Sequence, residues 1–455
     1  MKFQSSNPFT EEILAEYETL SAAEIEEKLL KAEDAFQNWK GSSFAERKEK
    51  MLNAAAVLRE NQSKYARTIS EEMGKTYQSA LAEVEKCAWV CTYYAEKAEG
   101  FLQDEIIETD AQKSFVSYRP MGLILAVMPW NFPFWQVFRF AAPALMAGNA
   151  GVLKHASNVP KCGIFIEEVF LKAGFPEGLF TNLLISSHQV SDIIENPIIK
   201  AVTLTGSEKA GAAVASKAAA KIKKAVLELG GSDAYLVLED ADLDLAAKQC
   251  ASSRLLNSGQ SCIGAKRFII VREVYDLFLE KFKAEMANAK MGDPFDSTTS
   301  LAPMARTDLR DELHAQVLAS LAKGAKCILG GKVPERNGAF YPATILTDVA
   351  PGMPAYDEEL FGPVASVICV ENEVEAIRIA NDSVFGLGAC VFTEDVSRGE
   401  RIAKYALEAG SCFVNQFVKS DPRLPFGGIK NSGFGRELSL HGIREFMNAK
   451  TVYLA

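Results

Sequence analysis

The chain has 455 residues, which is too long for one ordinary hydrophobic core and predicts two or three domains. Hydrophobic residues make up 48% and charged residues 24% of the sequence, a balance typical of a soluble globular protein. The formal net charge of −10 disfavours nucleic acid and anionic membranes as partners. A small anionic substrate remains compatible with this charge, because a local cationic pocket can lie in an acidic surface.

Targeting, membrane-spanning and metal-binding segments are not expected. Residues 1–12 lack the basic and apolar regions of a signal peptide. The most apolar stretch, 121–140, is interrupted by Pro129, Pro133 and Arg139, so it is not a clean membrane span. The nine cysteines are scattered without CxxC pairs or nearby histidines, which indicates reduced thiols, a cytoplasmic location and no metal site.

The first third of the chain is predicted to be mostly helical. Residues 21–99 repeat apolar side chains at helical spacing, with breaks near Gly41 and Gly74. Residues 106–118 then alternate between apolar and polar side chains, which is typical of an edge hairpin.

Short apolar runs alternate with helical segments from Gly122 to about Asn415. Such alternation predicts a parallel sheet with helices on its faces, and therefore an α/β fold class. A second unit begins near Asp240, and the tail, 451–454, is prone to form a strand. The predicted strands are 123–128, 150–154, 180–185, 201–204, 234–238 and 267–271, and the helices between them include 135–146 and 160–173.

Three short segments contain the residue types that an acyl-transfer site needs. Cys262 ends the turn 257–262 among small polar neighbours, and a reachable thiolate is a good nucleophile. Glu228 precedes two glycines in the run ELGG and is a candidate base. Asn131 lies in the run PWNFP, where its amide is a candidate oxyanion donor. Each has a plain structural alternative: a buried apolar cysteine, a glutamate that ends a helix, and a turn asparagine.

Together and in sequence, these motifs resemble the aldehyde dehydrogenase superfamily. Four further motifs follow the family pattern, so the resemblance runs over nearly the whole chain. Seven ordered matches are a strong signal, whereas any one would be weak. The four further motifs are Thr205–Glu208 (TGSE), Glu359–Pro363 (ELFGP), Asn381-Asp382 with Phe385–Leu387 (FGL), and Pro425–Gly428 (PFGG).

The resemblance implies three structural parts and an oligomer. A Rossmann-like cofactor domain would comprise 1–102 and 120–232, an α/β catalytic domain with the nucleophilic cysteine 233–432, and a small β bridging arm 103–119 and 433–455. Exposed strand edges in the arm imply a homodimer or homotetramer. The chain is short at its N-terminus for the family and is expected to start almost directly at the first helices.

The resemblance also implies a covalent mechanism. The thiol of Cys262 would attack an aldehyde carbon to give a thiohemiacetal, hydride transfer to NAD(P) would leave a thioester, and water would hydrolyse it. The Asn131 side chain and the Cys262 backbone N–H would stabilise the oxyanion. Glu228 would activate the water, and an apolar environment would raise its pKa toward the working pH.

The cofactor site is predicted without a GxGxxG motif. A helix follows the turn at Ser207, and a helix start offers free N–H groups to a pyrophosphate, although serine is also simply a good N-cap. In the family this turn is the pyrophosphate site, and other positions contact the adenosine ribose, the nicotinamide and its ribose. The cofactor residues carried over are Trp130, Lys154, Ser157, Gly206, Ser207, Leu229, Glu359 and Phe361.

Ser157 bears on the choice between NADP and NAD. NAD-preferring members often carry a glutamate three positions after the lysine that corresponds to Lys154. Serine removes the repulsion that a 2′-phosphate would meet, and the lysine remains as a cation. NADP is therefore expected to be preferred and NAD accepted, unless Ser157 merely caps a helix.

The substrate side resembles the short succinate-semialdehyde dehydrogenases, whose substrate carries a distal carboxylate. Arg139 lies on an otherwise apolar helix face, where a guanidinium needs an anion. Ser261, Lys419 and Ser420 complete the predicted substrate residues. The alternative for Arg139 is a surface position or an acidic neighbour, and Glu437 is a candidate second carboxylate for handling water.

Three rival functions stay open from the sequence. The first is a broad-specificity aliphatic or aromatic aldehyde dehydrogenase, which Arg139 argues against. The second is a binding protein that kept the fold without catalysis, which the presence of Cys262, Glu228 and Asn131 argues against. The third is a cofactor-independent cysteine hydrolase, for which the sequence offers no histidine to pair with the cysteine.

Overall fold

The computed structural model describes residues 2–455, and within this range it contains β-strands, α-helices and three short 3₁₀ turns. The strands are β1 (Lys2–Ser6), β2 (Ile13–Glu18), β3 (Glu105–Ile106), β4 (Lys113–Pro120), β5 (Leu123–Met128), β6 (Ala150–His155), β7 (Phe180–Asn182), β8 (Ile199–Thr205), β9 (Lys224–Glu228), β10 (Ala234–Val237), β11 (Arg267–Val271), β12 (Lys326–Leu329), β13 (Thr344–Thr347), β14 (Val364–Val370), β15 (Phe385–Gly386), β16 (Gly388–Phe392), β17 (Ser411–Val414), β18 (Ile429–Lys430), β19 (Gly433–Phe434) and β20 (Met447–Leu454).

The helices are α1 (Ala22–Trp39), α2 (Phe44–Glu60), α3 (Gln62–Met73), α4 (Tyr77–Phe101), α5 (Trp135–Met146), α6 (Pro160–Lys172), α7 (Val190–Glu195), α8 (Glu208–Ala220), α9 (Leu243–Leu255), α10 (Tyr275–Ala287), α11 (Thr307–Ala322), α12 (Pro354–Asp357), α13 (Glu373–Asn381), α14 (Val396–Tyr405) and α15 (Ser439–Glu445). The α/β fold class is confirmed, and β5 and α5 have the predicted bounds. No helix within residues 2–455 is both long and apolar enough to cross a membrane.

The first large sheet has the strand order β19-β9-β8-β5-β6-β7. Strands β9 to β7 in this order run parallel, and β19 pairs antiparallel with β9. Strand β5 is a continuous apolar run that is buried between helices, as expected for the centre of a parallel sheet. The chain order reverses between β5 and β8, and ligands of such sheets bind at the carboxyl ends of the strands beside this switch point.

The second large sheet has the order β12-β13-β14-β11-β10-β16-β17 and is parallel except for β12. It follows the first sheet in the sequence and carries its own buried apolar cluster, which includes Leu236, Ile269 and Val391. The loop that ends at Cys262 lies between α9 and β11, so the predicted nucleophile enters the site from this second unit.

A third sheet is small and antiparallel, with the order β20-β4-β3. Strand β20 pairs with β4 from Met447 opposite Pro120 to Leu454 opposite Lys113. Within the predicted arm segment 433–455, β19 instead joins the first large sheet, and α15 packs beside α5. The C-terminal strand of the arm therefore begins at Met447. The division into three domains stays a prediction.

The N-terminus differs from the sequence expectation. The chain does not start almost directly at helices, because β1 and β2 form an antiparallel hairpin before α1. The sequence pattern does not predict this hairpin, because β2 has no buried residue and so lacks an apolar face. The hairpin is held through Ser5, whose buried hydroxyl donates to Glu72 Oε1 at 2.9 Å. A contact to a residue 67 positions away leaves no local signal.

Candidate active site

Two cavities meet at Cys262. We call the first the switch-point cavity; it measures about 300 Å³ and lies at the carboxyl ends of β5, β8 and β9. We call the second the α4–α5 cavity; it measures about 270 Å³ and lies between those helices and the segment 417–426. Within residues 2–455, Cys262 is the one residue that lines both cavities.

The two cavities separate the residues predicted from the sequence into two groups. The switch-point cavity is lined by Asn131 and by Trp130, Gly206, Ser207, Leu229, Glu359 and Phe361. The α4–α5 cavity is lined by Arg139, Ser261, Lys419 and Ser420. Glu228, Lys154 and Ser157 are not among the residues that line either cavity.

The backbone before Cys262 is unusual. Asn257 and Ser258 both have φ of 55°, and Gly259 has φ of +75°. A Cβ on Gly259 would lie 2.1 Å from the carbonyl carbon of Gly362, so no larger residue fits there. Three consecutive left-handed residues turn the chain sharply and place Cys262 at the junction of the cavities.

Hydrogen bonds fix the loop relative to the candidate oxyanion donor. The Asn257 side chain donates to the carbonyl of Asn131 at 2.7 Å and to that of Gln260 at 3.1 Å. The Asn131 side-chain amide also donates to the Gln260 carbonyl, at 3.1 Å. Lys266 Nζ donates to the carbonyls of Ser261, at 3.0 Å, and Cys262, at 2.7 Å. These bonds fix Asn131 against Gln260, two residues before Cys262, while Lys266 fixes the carbonyl groups of Ser261 and Cys262.

The start of α5 is stabilised by a distant carboxylate. Glu83 Oε1 accepts the backbone N–H groups of Phe134, at 2.9 Å, and Trp135, at 3.0 Å. The other oxygen of Glu83 pairs with Lys75, and both side chains are buried. Glu83 therefore supplies the cap that α5 lacks locally and fixes the backbone three residues after Asn131.

The thiol of Cys262 is half-buried, and burial raises its pKa to about 12. Arg139 and Lys266 act in the opposite direction, because their positive charges stabilise a thiolate. At neutral pH the free protein therefore holds Cys262 as a thiol, and attack on a carbonyl needs a group that accepts its proton.

Glu228 ends β9 and is almost completely buried, with 2% of its surface exposed. Neither carboxyl oxygen has a hydrogen-bond partner within residues 2–455. Burial raises its pKa well above the ordinary value, and the nearby Glu437 raises it further, whereas Arg139 and Arg436 lower it. This environment therefore favours the neutral form of the Glu228 carboxyl group more than water does.

Arg139 already has an anionic partner. Its Nε contacts Glu437 Oε2, and both side chains are buried. Its Nη2 donates to Thr205 Oγ1 at 3.3 Å, and its guanidinium lies 4.5 Å from the ring centre of Phe426. The acidic neighbour considered as an alternative from the sequence is thus present, although Arg139 also lines the α4–α5 cavity.

Glu359 is held rigidly in the switch-point cavity. Its Oε1 accepts the backbone N–H of Gly231 at 3.1 Å and pairs with Lys266 Nζ at 3.1 Å. A Cβ on Gly230 would lie 2.4 Å from Glu359 Oε2, so the glycine makes this approach possible. The ring of Phe361 meets that of Trp130 edge-on, with centres 5.8 Å apart.

The carboxyl edge of the first sheet fits a dinucleotide. Ser207 caps α8 by accepting the N–H of Ala210, so the start of a thirteen-residue helix faces the switch-point cavity. At the end of β6, Lys154 is half-buried and burial lowers its pKa. No carboxylate within residues 2–455 lies within 4.0 Å of its ammonium group. Ser157 follows on the same edge and is exposed.

Comparison with known sequences decides the family. The sequence model of the aldehyde dehydrogenase family matches residues 1–452. This chain belongs to the aldehyde dehydrogenase family.

Individual relatives of this aldehyde dehydrogenase match it from end to end. A protein of Synechocystis sp. named "Probable succinate-semialdehyde dehydrogenase (NADP(+))" is 50% identical, and one of Mycobacterium leprae named "Succinate-semialdehyde dehydrogenase (NADP(+))" is 48% identical. Both alignments cover 100% of each chain. The crystal structure of succinic semialdehyde dehydrogenase from Streptococcus pyogenes in complex with NADP+ is 39% identical, covers 99% of both chains and superposes with a TM-score of 0.97.

The sequence analysis of this aldehyde dehydrogenase missed Lys86. This residue lines the α4–α5 cavity, and its Nζ donates to Ser420 Oγ at 2.8 Å and lies 4.2 Å from the ring centre of Trp135. The available signal was weak: Lys86 shares a face of α4 with Glu83 and Val90, inside a helix that carries many charged residues. Nothing in the sequence shows that residues 86 and 420 meet.

No cluster of His, Cys, Asp and Glu side chains in residues 2–455 of the aldehyde dehydrogenase has the arrangement of a metal site. The groups gathered around Cys262 are instead a thiol, an amide and cationic side chains. This set is suited to covalent attack on a carbonyl and to stabilisation of the resulting oxyanion.

Proposed function

We propose that the protein oxidises a small semialdehyde with a distal carboxylate, such as succinate semialdehyde, to the corresponding acid. The observation that carries the proposal is the position of Cys262 between a cavity with nucleotide-binding turns and a second cavity lined by cationic side chains. The names of the Synechocystis and Mycobacterium leprae relatives support the same substrate class and NADP as cofactor.

The first chemical step is attack by Cys262 Sγ on the aldehyde carbon: the S–H bond breaks, its proton passes to solvent water, and the new C–S bond gives a thiohemiacetal oxyanion. The oxyanion receives hydrogen bonds from the Asn131 side-chain amide and the Cys262 backbone N–H, and the bonded loop keeps these donors in place. Bound NADP supplies the hydride acceptor. Once hydride has left the substrate carbon, the acyl group remains on Cys262 as a thioester.

Glu228 is proposed as the base that activates the hydrolytic water. Its raised pKa makes the Glu228 carboxylate a stronger base than that of an exposed glutamate, which suits removal of a proton from water in the transition state. Its carboxyl group lies behind the cavities, beside Gly427, so a rotation of the side chain toward Cys262 is part of the proposal.

The cofactor is proposed to be NADP by preference, with NAD accepted. Trp130, Leu229 and Phe361 would pack against the nicotinamide half, and Gly206 and Ser207 would bind the pyrophosphate at the start of α8. Glu359 would hold the nicotinamide ribose. Lys154 has no carboxylate partner within residues 2–455, and Ser157 adds no negative charge beside it, which supports a 2′-phosphate contact.

The protein is also proposed to act as a homo-oligomer, a homodimer or a homotetramer, in the cytoplasm. Strand β20 forms an edge of the arm sheet, and Tyr453 and Leu454 at its end are exposed. Such an edge favours pairing with a second copy. The nine cysteines are free thiols, which suits a reducing compartment.

A substrate panel tests the proposed function. Succinate semialdehyde and hexanal are each assayed with NADP and with NAD, and formation of the reduced cofactor is followed by absorbance. The expected result is a kcat/KM for succinate semialdehyde well above that for hexanal, and higher with NADP than with NAD. Equal kcat/KM for the two aldehydes would favour a broad-specificity aldehyde dehydrogenase, which the aromatic side chains in the α4–α5 cavity also suit.

A further inference from the structure

Three cationic side chains line the α4–α5 cavity, but they differ in whether their charge is already matched. Arg139 pairs with the buried Glu437. Lys419 is exposed, so water screens its charge. The third cation, Lys86, has no carboxylate within 4.0 Å of its ammonium group anywhere in residues 2–455.

The two carboxylates that attract Lys86 electrostatically, Glu83 and Asp421, each pair with another cation. Glu83 pairs with Lys75 and also accepts the two N–H groups at the start of α5. Asp421 accepts from Arg423 Nε at 2.9 Å and from its Nη2 at 2.7 Å. Both carboxylates attract Lys86 only from beyond salt-bridge distance.

The surroundings of the Lys86 ammonium group are mostly aromatic. It lies over the ring of Trp135, and Phe132, Phe417 and Phe426 line the same cavity. Desolvation, with a contribution from Arg139, lowers the pKa of Lys86 to about 8, so most of the population is still charged at pH 7. An ammonium group in a cavity of this kind is stabilised by an anionic ligand.

The contact between Lys86 and Ser420 leaves donors available. Because the Ser420 oxygen accepts the hydrogen bond from Lys86, its own hydroxyl hydrogen is free to point into the cavity. Two further N–H groups of the ammonium remain as well. A carboxylate placed here receives one charge-assisted bond from Lys86 and a second bond from Ser420, which matches its two oxygens.

We propose that Lys86 is the specificity-determining cation for the distal carboxylate of the substrate, with Ser420 as its second donor. The proposal rests on the semialdehyde function above and assigns the charge recognition to a residue of α4. Arg139 is then a positioning residue, which holds Glu437 beside Glu228.

Lys86→Met removes the charge with little change in length. Lys86→Arg retains the charge, and Lys97→Met is the matched control because Lys97 is an exposed lysine on the same helix. Each variant is assayed with succinate semialdehyde and with butanal, an uncharged aldehyde of the same chain length. We expect Lys86→Met to raise KM for succinate semialdehyde at least about 30-fold and to change kcat/KM for butanal less than about threefold.

Lys86→Arg is expected to keep the preference for the charged aldehyde, and Lys97→Met to behave as the parent protein. Equal losses for both aldehydes in Lys86→Met would mean that Lys86 is structural, and unchanged KM values would mean that another residue binds the carboxylate. Either result overturns the proposal. Lys86→Gln, which keeps a polar end group, is measured in parallel and replaces the methionine variant if that variant does not fold.

Binding of the acid product separates this proposal from the proposed function. Succinate is titrated calorimetrically into Cys262→Ala, with and without Lys86→Met. We expect the second substitution to weaken succinate binding at least about 30-fold. If succinate binds through Lys86 but the parent protein does not oxidise succinate semialdehyde, the proposed function is wrong and the proposed carboxylate site is still supported. If succinate binding is unaffected, the carboxylate site fails.

Discussion

The two cavities that meet at Cys262 are built in different ways. The switch-point cavity consists largely of turns at the carboxyl ends of neighbouring strands, where glycines and backbone groups set the shape. The α4–α5 cavity consists of side chains from four segments that are far apart in sequence: 79–86, 132–139, 256–263 and 417–426. A cavity formed by turns can be recognised from short sequence motifs. A cavity formed by side chains from distant segments cannot, because the fold decides which side chains come together.

Replacing Cys262, which lines both cavities, is expected to have the largest effect. Cys262→Ala should reduce aldehyde oxidation by at least about 10⁴-fold, because covalent catalysis has no substitute once the thiol is gone. Binding of NADP and of succinate should persist, since each depends on one cavity. The rate is measured from reduced cofactor and the binding by calorimetry. Cys327→Ala, at an exposed cysteine, is the control, and near-parental turnover in Cys262→Ala would disprove the nucleophile assignment.

Removing the buried base should separate the two halves of the reaction. Glu228→Gln is expected to slow thioester hydrolysis by about 10³-fold while hydride transfer is affected less, because only the hydrolytic step needs an activated water. Rapid mixing should then show a burst of reduced cofactor followed by slow turnover. A slowed burst with no thioester accumulating would place Glu228 in the first step instead.

Replacing Arg139 tests whether this residue binds the substrate or stabilises the structure of the site. Arg139→Ala leaves Glu437 buried without a partner, which should cost about 3–5 kcal/mol of stability and lower activity toward charged and uncharged aldehydes alike. The sequence alone predicts a different outcome, a higher KM for succinate semialdehyde with little change for an uncharged aldehyde. Thermal unfolding together with both assays decides between them, and Arg139→Lys, which keeps the charge, is the companion variant.

The smallest expected effect concerns the cofactor at the carboxyl edge of β6. Ser157→Glu places a carboxylate beside Lys154, where it should repel a 2′-phosphate and disfavour NADP by about 2–4 kcal/mol. The ratio of kcat/KM with NADP to that with NAD measures the change, and Ser157→Gln separates charge from size. A ratio that does not move would show that the 2′-phosphate binds elsewhere.

The sequence was most informative where local pattern and tertiary position agree. Strand β5 and helix α5 were predicted to the residue, because a continuous apolar run and a helix after PWNFP suit the centre of a parallel sheet. The same agreement placed six predicted cofactor residues together in the switch-point cavity. Turns and helix starts are formed by residues that are consecutive in the sequence, so both features can be predicted without knowledge of the fold.

The sequence was least informative where a feature depends on a distant contact. The N-terminal hairpin is tied to α3 through Ser5 and Glu72, and β2 has no buried face to predict it. Arg139 meets Glu437 across almost 300 positions, and Lys86 meets Ser420 across 334. Whether a cation is matched or free is set by such contacts, so the sequence identified the cationic residue on α5 and missed the one on α4.

The single shared residue has a consequence for how such an enzyme can change over evolutionary time. Since the linings of the two cavities overlap only at Cys262 within residues 2–455, a substitution elsewhere in the α4–α5 cavity replaces no side chain that lines the switch-point cavity. After gene duplication, one copy can therefore change its aldehyde specificity while it keeps the same nicotinamide cofactor. Paralogues that diverge in this way would use the same cofactor and differ in the aldehyde that each oxidises.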